Sequence, residues 1–422
     1  MFGIRRWKLI ASTVAIALLA VVAMSLVNTG GRMSAERPAA TSDAATVERG
    51  RYLADAGNCF SCHTRANGAA YTGGVSFETP FGTIYSTNIT PDPQTGIGNW
   101  TAEDFRRAMH EGIAADGSPL FPAFPYTAYT KVSDEDVAAI YAYLRSLEPV
   151  RYTPPKNSMA FWMRWPMRIW NGAFFEPGRF VADASKDAAW NRGAYLVEGL
   201  AHCSSCHTPR NRAMAEIAER RYQGGVLLDH VDGDKRREWF AVDLTPSKNG
   251  LASWSVDDLT KYLHKGFSPR AGTFGPMNEV IVNSLSKLQA EDVRAMAVYL
   301  KSLPSREYVG AKVSVQQAQV GAALYEEHCE DCHAGSGRGG IFSGPPVAGS
   351  AIVQGDDPSS LINVLLYGPS TPKEVSFGAW ETMPAFGDDL SDEQIVAVGN
   401  YIRGSWGNVG RALTVEDVSK QR

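Results

Sequence analysis

The stretch Cys59-Phe60-Ser61-Cys62-His63 decides the fold of this 422-residue chain, because its pattern occurs three times. The other copies are Cys203-Ser204-Ser205-Cys206-His207 and Cys329-Glu330-Asp331-Cys332-His333. Together the three copies use all six cysteines. Two thiols separated by two residues and followed directly by a histidine form the attachment pattern of haem c. The spacing therefore predicts attachment sites in place of disulfides.

The chemistry of haem attachment explains this spacing. The two thiols reach the two vinyl groups of one haem and form thioether bonds, and the histidine is then held beneath the iron as its proximal ligand. A thioredoxin-like thiol pair does not require the histidine, and a structural zinc site needs four ligands. Three complete copies predict three covalently bound haems c, with His63, His207 and His333 as iron ligands.

Each motif lies inside a longer helical repeat. A run with a glycine precedes each motif, in RGRYLADAGNC, RGAYLVEGLAHC and VGAALYEEHC, and an amphipathic helix follows from Ser133, Gln289 or Ser391. The glycine would let the last helix of a repeat cross the first one closely. Ser133 and Ser391 are predicted N-caps. The chain is therefore predicted to be all-α, with three tandem haem domains after an N-terminal hydrophobic helix.

The N-terminus predicts export from the cytoplasm. Arg5, Arg6 and Lys8 precede the run 9–27, which contains no charged residue. A run of this length just reaches the ~20 residues that cross a bilayer as a helix, and basic flanks stay in the cytoplasm. We predict a signal-anchor helix, with a cleaved signal peptide as the alternative. Either reading exports the remaining chain from the cytoplasm.

Repeats and composition divide the chain into seven predicted segments. Their bounds are 1–27 for the anchor, 28–46 for a linker, 47–150 for domain 1, 151–182 for an aromatic inter-domain segment, 183–305 for domain 2, 314–406 for domain 3 and 407–422 for a tail. The aromatic segment is predicted to pack across the seam between domains 1 and 2. A docking surface for a partner subunit or the membrane is the alternative. The net charge of −4 predicts no nucleic-acid partner.

A haem used for electron transfer often has His and Met as its two axial ligands. In a domain of this kind the methionine precedes the last helix. Met277 in FGPMNEV and Met383 in TMPAFGDDL occupy that place in domains 2 and 3. Both lie beside proline in turn-like segments, away from any apolar helical face, so we predict that both bind iron.

Domain 1 departs from this pattern. Its matching segment, FPAFPYTAY, has Phe124 at the place of the methionine, and phenylalanine cannot bind iron. The nearest alternatives are Met109, which is more simply a core residue, and His110, which is predicted to lie on a helix surface. His202 and His328, directly before attachment cysteines, are predicted as polar positions on the attachment helices. Haem 1 is therefore predicted to be open, water-bound or held by an unexpected ligand.

The sequence resembles the three-haem cytochrome c subunits of bacterial membrane-associated dehydrogenases, such as alcohol, gluconate and sorbitol dehydrogenases. The attachment motifs carry the resemblance, together with FGTIYSTNITPDPQTGIGNWT, RWPMRIWN, RGAYLVEGLAHCSSCHTPRN, GPPVAGS and LSDEQIVAVGNYIRGSWGN. It implies class I cytochrome c domains and a subunit that takes electrons from a catalytic subunit and passes them toward ubiquinone or a terminal oxidase.

Phe124 bears on the catalytic partner that the resemblance implies. Cytochrome subunits of quinoprotein and flavoprotein dehydrogenases typically read Pro-Ala-Met-Pro-Tyr at this place. The phenylalanine is more similar to subunits paired with molybdenum hydroxylases, which act on aldehydes or N-heteroaromatic compounds. A molybdenum hydroxylase partner is therefore favoured over the other two types.

Two other functions remain open from the sequence. An open haem 1 could serve a haem peroxidase, although PAFPY supplies no acid–base group for peroxide chemistry. The chain could also be a stand-alone multihaem electron carrier. The leading interpretation is a non-catalytic electron-transfer subunit of a dehydrogenase complex.

Overall fold

The computed structural model describes residues 43–159, 161–230, 236–305, 315–340, 342–378 and 380–422. The predicted anchor and most of the predicted linker lie outside these residues. None of the helices in the described part is long and apolar enough to span a bilayer. Helical repeats 1, 2 and 3, each named for its attachment motif, make up most of the described chain.

Repeat 1 begins three residues before its predicted boundary. Its elements are α1 (Ala44–Ala56), α2 (Cys59–His63), β1 (Ser76–Thr79), β2 (Gly82–Tyr85), α3 (Ala102–Glu111), α4 (Tyr126–Tyr129) and α5 (Asp134–Ser146). A 3-10 turn (Phe161–Arg164) and α6 (Pro166–Phe174) follow in the aromatic segment.

Repeat 2 shares the main helices and the first hairpin with repeat 1, and it adds a second hairpin and several short turns. It contains α7 (Ala188–Tyr195), a π-turn (Leu196–Leu200), α8 (Ser204–His207), a 3-10 turn (Ala218–Arg220), β3 (Gln223–His230), β4 (Arg236–Asp243), α9 (Val256–Lys265), β5 (Phe267–Ser268), β6 (Ala271–Gly272), α10 (Met277–Asn283), a 3-10 turn (Leu285–Lys287) and α11 (Ala290–Lys301).

In repeat 3 the described elements are helical. They are α12 (Val315–His328), α13 (Glu330–His333), α14 (Ala351–Gln354), α15 (Ser359–Tyr367) and α16 (Asp392–Gly404), and α17 (Val415–Ser419) follows in the C-terminal tail.

The all-α prediction misses three antiparallel hairpins, β1–β2, β3–β4 and β5–β6. The first two lie between the attachment motif and the next α-helix of their repeat. Their strands run just before Thr87 and through Val242, whose carbonyl groups contact the motif histidines. Short strands of this kind are stabilised by where they pack, so local sequence gives a weak signal for them.

A glycine at the crossing of the first and last helices is common to all three repeats. A Cβ on Gly50, Gly193 or Gly321 would overlap the carbonyl oxygen of Ala139, Ala295 or Ala397. The two helices therefore touch through their backbones, as the glycine pattern predicts. At the start of the last helix, Ser133 and Ser391 cap the backbone N–H groups of Asp136 and Gln394, which also agrees with the prediction.

Gly50→Ala is expected to lower the free energy of unfolding by about 3 kcal/mol, because the methyl group forces the helices apart. Gly172→Ala, where no atom lies within 4 Å of the added carbon, is the matched control. It should be neutral or stabilising by up to ~1 kcal/mol, since alanine favours a helix over glycine. Denaturant titration of both variants measures the difference, and equal midpoints would contradict the close crossing.

Repeats 1 and 2 share one hydrophobic core, while repeat 3 has a second core of its own. Repeat 3 joins repeat 2 at strand β4. Ser360 Oγ both donates to the carbonyl of Phe240 and accepts from its N–H, at 2.9 Å each. Asn363 donates to the carbonyl of Glu238 at 2.7 Å. Repeat 2 therefore contacts both of the other repeats.

Repeats 1 and 2 make matching hydrogen bonds to each other across the seam between them. The hydroxyl of Tyr52 donates to Asp292 at 2.6 Å, and the hydroxyl of Tyr195 donates to Asp136 at 2.5 Å. Each aspartate also binds an arginine of its own repeat, in the pairs Arg49–Asp136 (2.5 Å) and Arg192–Asp292 (2.6 Å). Repeat 3 has Val320, Ala323 and Gln394 at the corresponding positions. These residues cannot make the same contacts, so the sequence itself distinguishes the pair of repeats from the third.

Asp292→Asn is expected to destabilise the protein by about 2 kcal/mol at pH 7, because a charged hydrogen-bond acceptor is lost in a mostly buried site. Burial opposes ionisation of Asp292, but hydrogen bonds from Arg192 and Tyr52 overcome this and hold its pKa below the ordinary value. The contribution is complete above the unfolded-state pKa and is lost as the pH falls from ~4 through the lower folded-state pKa.

Denaturant titrations at pH 7 and pH 3 test this expectation, with the wild-type advantage over Asp292→Asn shrinking at pH 3. Asp257→Asn, which removes an exposed pair with Arg294, is the control and should leave the unfolding midpoint close to that of the wild type. A wild-type advantage that grows on acidification would contradict the assignment.

Candidate haem sites

The three attachment histidines are held in the same way. Nδ1 of His63, His207 and His333 lies 2.6, 2.7 and 2.8 Å from the carbonyl oxygen of Thr87, Val242 and Pro345, respectively. A carbonyl can only accept, so each Nδ1 carries the proton and each Nε2 is left with its lone pair. Burial lowers the pKa of all three rings, which keeps them neutral. A neutral imidazole anchored through Nδ1 is oriented to bind a metal through Nε2.

The six cysteines are free of disulfides. Burial raises the pKa of Cys59, Cys62 and Cys203 to about 12, and that of Cys329 to about 11. A redox-active thiol pair needs a lowered pKa, because the thiolate is the reactive form. These thiols therefore do not fit the thioredoxin-like alternative, while the largely apolar cavity lined by Cys203, Cys206, Cys329 and Cys332 suits thioether attachment.

A cavity of about 330 Å³ runs between the attachment motifs of repeats 2 and 3. One part is lined by Cys203, Cys206, His207 and Met277, and another by Cys329, Cys332, His333 and Met383. The remaining lining is mainly aliphatic and aromatic. The structure thus brings each predicted methionine to the same cavity as the cysteines and histidine of its own repeat. An imidazole and a thioether in an apolar cavity with two thiols fit haem c.

In repeat 1, Phe124 stands at the place in the sequence that the methionine holds in the other repeats. The centroid of its ring is 5.3 Å from that of Tyr129, and the ring packs against the shared core. Met109 is buried in that core, as predicted. It matches Leu263 of repeat 2, which lines the cavity. Met109 is therefore the sulfur-bearing side chain to test as a ligand in repeat 1.

The prediction that His110 lies on the helix surface is wrong. Its side chain is only 1% exposed, and Nδ1 is 3.3 Å from Oδ1 of Asp134. Burial, with Arg179 nearby, lowers its pKa to about 4. The ring faces the first turn of α5, so its position is explained by packing between α3 and α5.

Two family models match the chain. Residues 47–148 match the cytochrome c model, and residues 316–402 match the model of subunit III of cbb3-type cytochrome c oxidase. The chain is 40% identical to the gluconate 2-dehydrogenase cytochrome c subunit of Pantoea cypripedii, over 90% of each chain. It is 37% identical to the alcohol dehydrogenase (quinone) cytochrome c subunit of Gluconobacter oxydans, over 90% of this chain and 83% of that protein.

The chain belongs to the family of dehydrogenase cytochrome c subunits. It is also 43% identical to a nicotinate dehydrogenase subunit of Pseudomonas putida over 85% of this chain. There it spans only 30% of the relative's length. Family membership implies covalently attached haem c and places the attachment motifs of this cytochrome at its functional centres.

The attachment segments of repeats 1 and 2 of this cytochrome adjoin one another. Asn283 on α10 donates to Ser61, between the cysteines of the first motif, at 3.0 Å. Tyr129 donates to the carbonyl of Gly57 at 2.9 Å, and the ring of His202 stands edge-on to Tyr129 at 5.6 Å. His202 also contacts the carbonyl of Gly57. The prediction that His202 is a polar position on the attachment helix is wrong, because it lies before α8 and packs against Tyr129.

Sequence reasoning could have found Tyr129 but not its partner. Tyr129 stands four residues before Ser133, where repeat 2 has Leu285 four residues before Gln289. A polar hydroxyl at a core position indicates a specific acceptor. The acceptor itself depends on how the repeats pack, which no local pattern contains.

Proposed function

We propose that this cytochrome carries three haems c and transfers electrons from a separate catalytic dehydrogenase subunit toward ubiquinone or a terminal oxidase. The observation that carries the proposal is the shared geometry of the motif histidines, each with Nδ1 bound to a carbonyl at 2.6–2.8 Å. Three imidazole rings held in the same way, each with Nε2 available to bind a metal, support three haem sites of one kind.

The proposed haem-binding residues follow the repeats. Cys59 and Cys62, Cys203 and Cys206, and Cys329 and Cys332 form the thioether bonds, and His63, His207 and His333 provide the proximal nitrogen. Met277 and Met383 provide the distal sulfur in repeats 2 and 3. The proposed cytochrome c domains are 47–150, 183–305 and 314–406, joined by the segment 151–182.

When bound, haem supplies one-electron oxidation and reduction. The protein surrounds the proposed haem sites with apolar side chains and holds neighbouring sites close to one another. The sites of repeats 2 and 3 face one apolar cavity, and those of repeats 1 and 2 meet through Tyr129, His202 and Gly57. Repeat 2 thus lies in the middle of a series, which supports stepwise transfer through the chain.

The catalytic partner is proposed to be a molybdenum hydroxylase type of dehydrogenase, in preference to a quinoprotein or flavoprotein. The phenylalanine at position 124 supports this choice, as does the 43% identity to a nicotinate dehydrogenase subunit. The complex is placed on the periplasmic side of the inner membrane, held there by the N-terminal apolar run or exported by it as a cleaved signal.

The proposal is tested by purifying the tagged full chain from native membranes. We expect a large catalytic subunit to co-purify, and the intact mass of the denatured cytochrome to include three haems. Nicotinate, an aldehyde, ethanol and gluconate are then added separately to the complex. We expect one class of substrate to reduce the haem iron, which the absorbance spectrum reports. Fewer covalent haems would overturn the three-haem assignment. A chain that purifies alone, or that turns over peroxide by itself, would favour the carrier or peroxidase alternative.

A further inference from the structure

The aromatic segment presents an exposed apolar side on α6 and the turn before it. Trp165 and Ile169 are each 66% exposed, and Trp162 is 55% exposed. Trp165 directly precedes α6 and Ile169 lies four residues further along, on the same side of the helix, while Trp162 lies in the preceding 3-10 turn. Large apolar side chains are normally exposed singly, and a contiguous set of this kind marks an interaction surface.

The opposite side of α6 is fixed to the protein. Met167 is buried. The indole nitrogen of Trp170 donates to the carbonyl of Ala213 in repeat 2 at 2.8 Å, and Asn171 accepts from the hydroxyl of Tyr126 in repeat 1 at 2.6 Å. The predicted packing across the seam thus describes only the inner side of the helix. The outer side is held rigidly in place by both repeats.

The aromatic segment carries mostly positive charge. The segment 151–182 contains five basic residues, Arg151, Lys156, Arg164, Arg168 and Arg179, and one acidic residue, Glu176. The whole chain, in contrast, has a net charge of −4. A cationic segment on an anionic protein is complementary to a surface with excess negative charge.

We propose that the outer side of α6, with Trp162, Trp165 and Ile169, lies in the headgroup region of an anionic lipid bilayer. Tryptophan is enriched at membrane interfaces because its ring is apolar and its N–H is polar. A helix with an apolar side and basic flanks lies in the plane of the interface, where anionic lipids attract the basic residues. The excess of five basic residues over one acidic residue favours an anionic lipid surface as the partner.

This surface deepens the membrane placement proposed above, but it does not depend on the electron-transfer role. The N-terminal apolar run would hold the chain at the bilayer by one point. Contact through α6 would add a second point and orient repeats 1 and 2 relative to the membrane. The two repeats would then face the bilayer together, since α6 is fixed to both.

Photo-crosslinking in native membranes tests the proposal. The variant Ile169→p-benzoylphenylalanine, in the full chain with its natural partners, is expected to form phospholipid adducts on irradiation. The control is Val181→p-benzoylphenylalanine, at a position that is 83% exposed but lies close to Asp183 in sequence. It should form no lipid adduct. A protein adduct at position 169 would identify a partner surface and overturn the proposal, as would equal lipid labelling at both positions.

Hydrogen exchange separates this proposal from the proposed function. In the full chain reconstituted with phosphatidylglycerol and phosphatidylethanolamine vesicles, amides of 161–174 should exchange roughly tenfold more slowly than with phosphatidylcholine. The double variant Trp165→Ser/Ile169→Ser should lose that protection. Unchanged exchange in a preparation with its full haem content and substrate-driven reduction would reject the lipid contact alone.

Discussion

The reduced cytochrome is expected to bind one molecule of carbon monoxide per chain. A haem with a histidine and a methionine has no free iron position, whereas Phe124 cannot bind iron at haem 1. The Phe124→Met variant should therefore bind less than about 0.1 equivalent, because the new thioether closes the site. Optical titration with carbon monoxide counts the bound molecules directly.

Two further variants make this titration decisive. Phe121→Met introduces a methionine three residues away and should leave the binding of one equivalent unchanged. Met109→Leu tests the alternative ligand in the core. If the wild type binds no carbon monoxide and Met109→Leu binds one equivalent, Met109 closes haem 1 and the open-site hypothesis is wrong.

An open haem 1 also affects the order of electron transfer. Methionine ligation raises the reduction potential of a haem. Haem 1 is therefore expected to have a lower potential than haems 2 and 3, as suits the first acceptor of electrons from a catalytic subunit. Potentiometric titration of wild type and Phe124→Met should show one component that moves to a higher potential in the variant.

Met277→His is expected to interrupt transfer through the chain while haem 2 stays attached. Imidazole in place of the thioether lowers the potential of haem 2, and each 59 mV costs about tenfold in a one-electron equilibrium. Because repeat 2 contacts both other repeats, a low-potential centre there lies between the two ends. Substrate-driven turnover with ubiquinone should fall by at least about 100-fold, while the haem content stays at three.

The control for this prediction is Met296→Leu. Met296 also lines the cavity but lies within α11, and leucine has a similar volume. Its potential and turnover should remain close to those of the wild type. Rapid-mixing measurements that show haem 3 reduced as quickly in Met277→His as in the wild type would mean that electrons bypass repeat 2.

The haem sites could be predicted from sequence because their chemistry depends on local spacing. The Cys-x-x-Cys-His motif brings two sulfurs and a nitrogen together within five residues, so no long-range contact is needed to define it. Met277 and Met383 required one further step, since they are distant in sequence from their motifs. Both line the cavity that also contains the cysteines and histidine of their own repeat, and their binding to iron stays a prediction.

The helix crossings were predictable for a related reason. Gly50, Gly193 and Gly321 stand at one place in a repeated pattern, and only a residue without Cβ allows the backbones to touch. The hairpins were not predicted, because short strands take their stability from packing that is absent from the local pattern. His110 was assigned to the helix surface because repeat 2 has a matching histidine, His264, in addition to its own methionine, yet α5 and Asp134 cover His110.

The sequence by itself determined the three Cys-x-x-Cys-His motifs, the helical repeat around each and the phenylalanine that stands at the place of the methionine in repeat 1. Only the tertiary structure decided that repeat 2 lies between the other two, that Tyr52 and Tyr195 bind the aspartate of the opposite repeat, and that α6 keeps one apolar side exposed. The physical reason is the range of the interactions. Attachment and helix crossing depend on residues at fixed spacing, whereas the order and contacts of the repeats depend on side chains that are 59 to 240 positions apart in the chain.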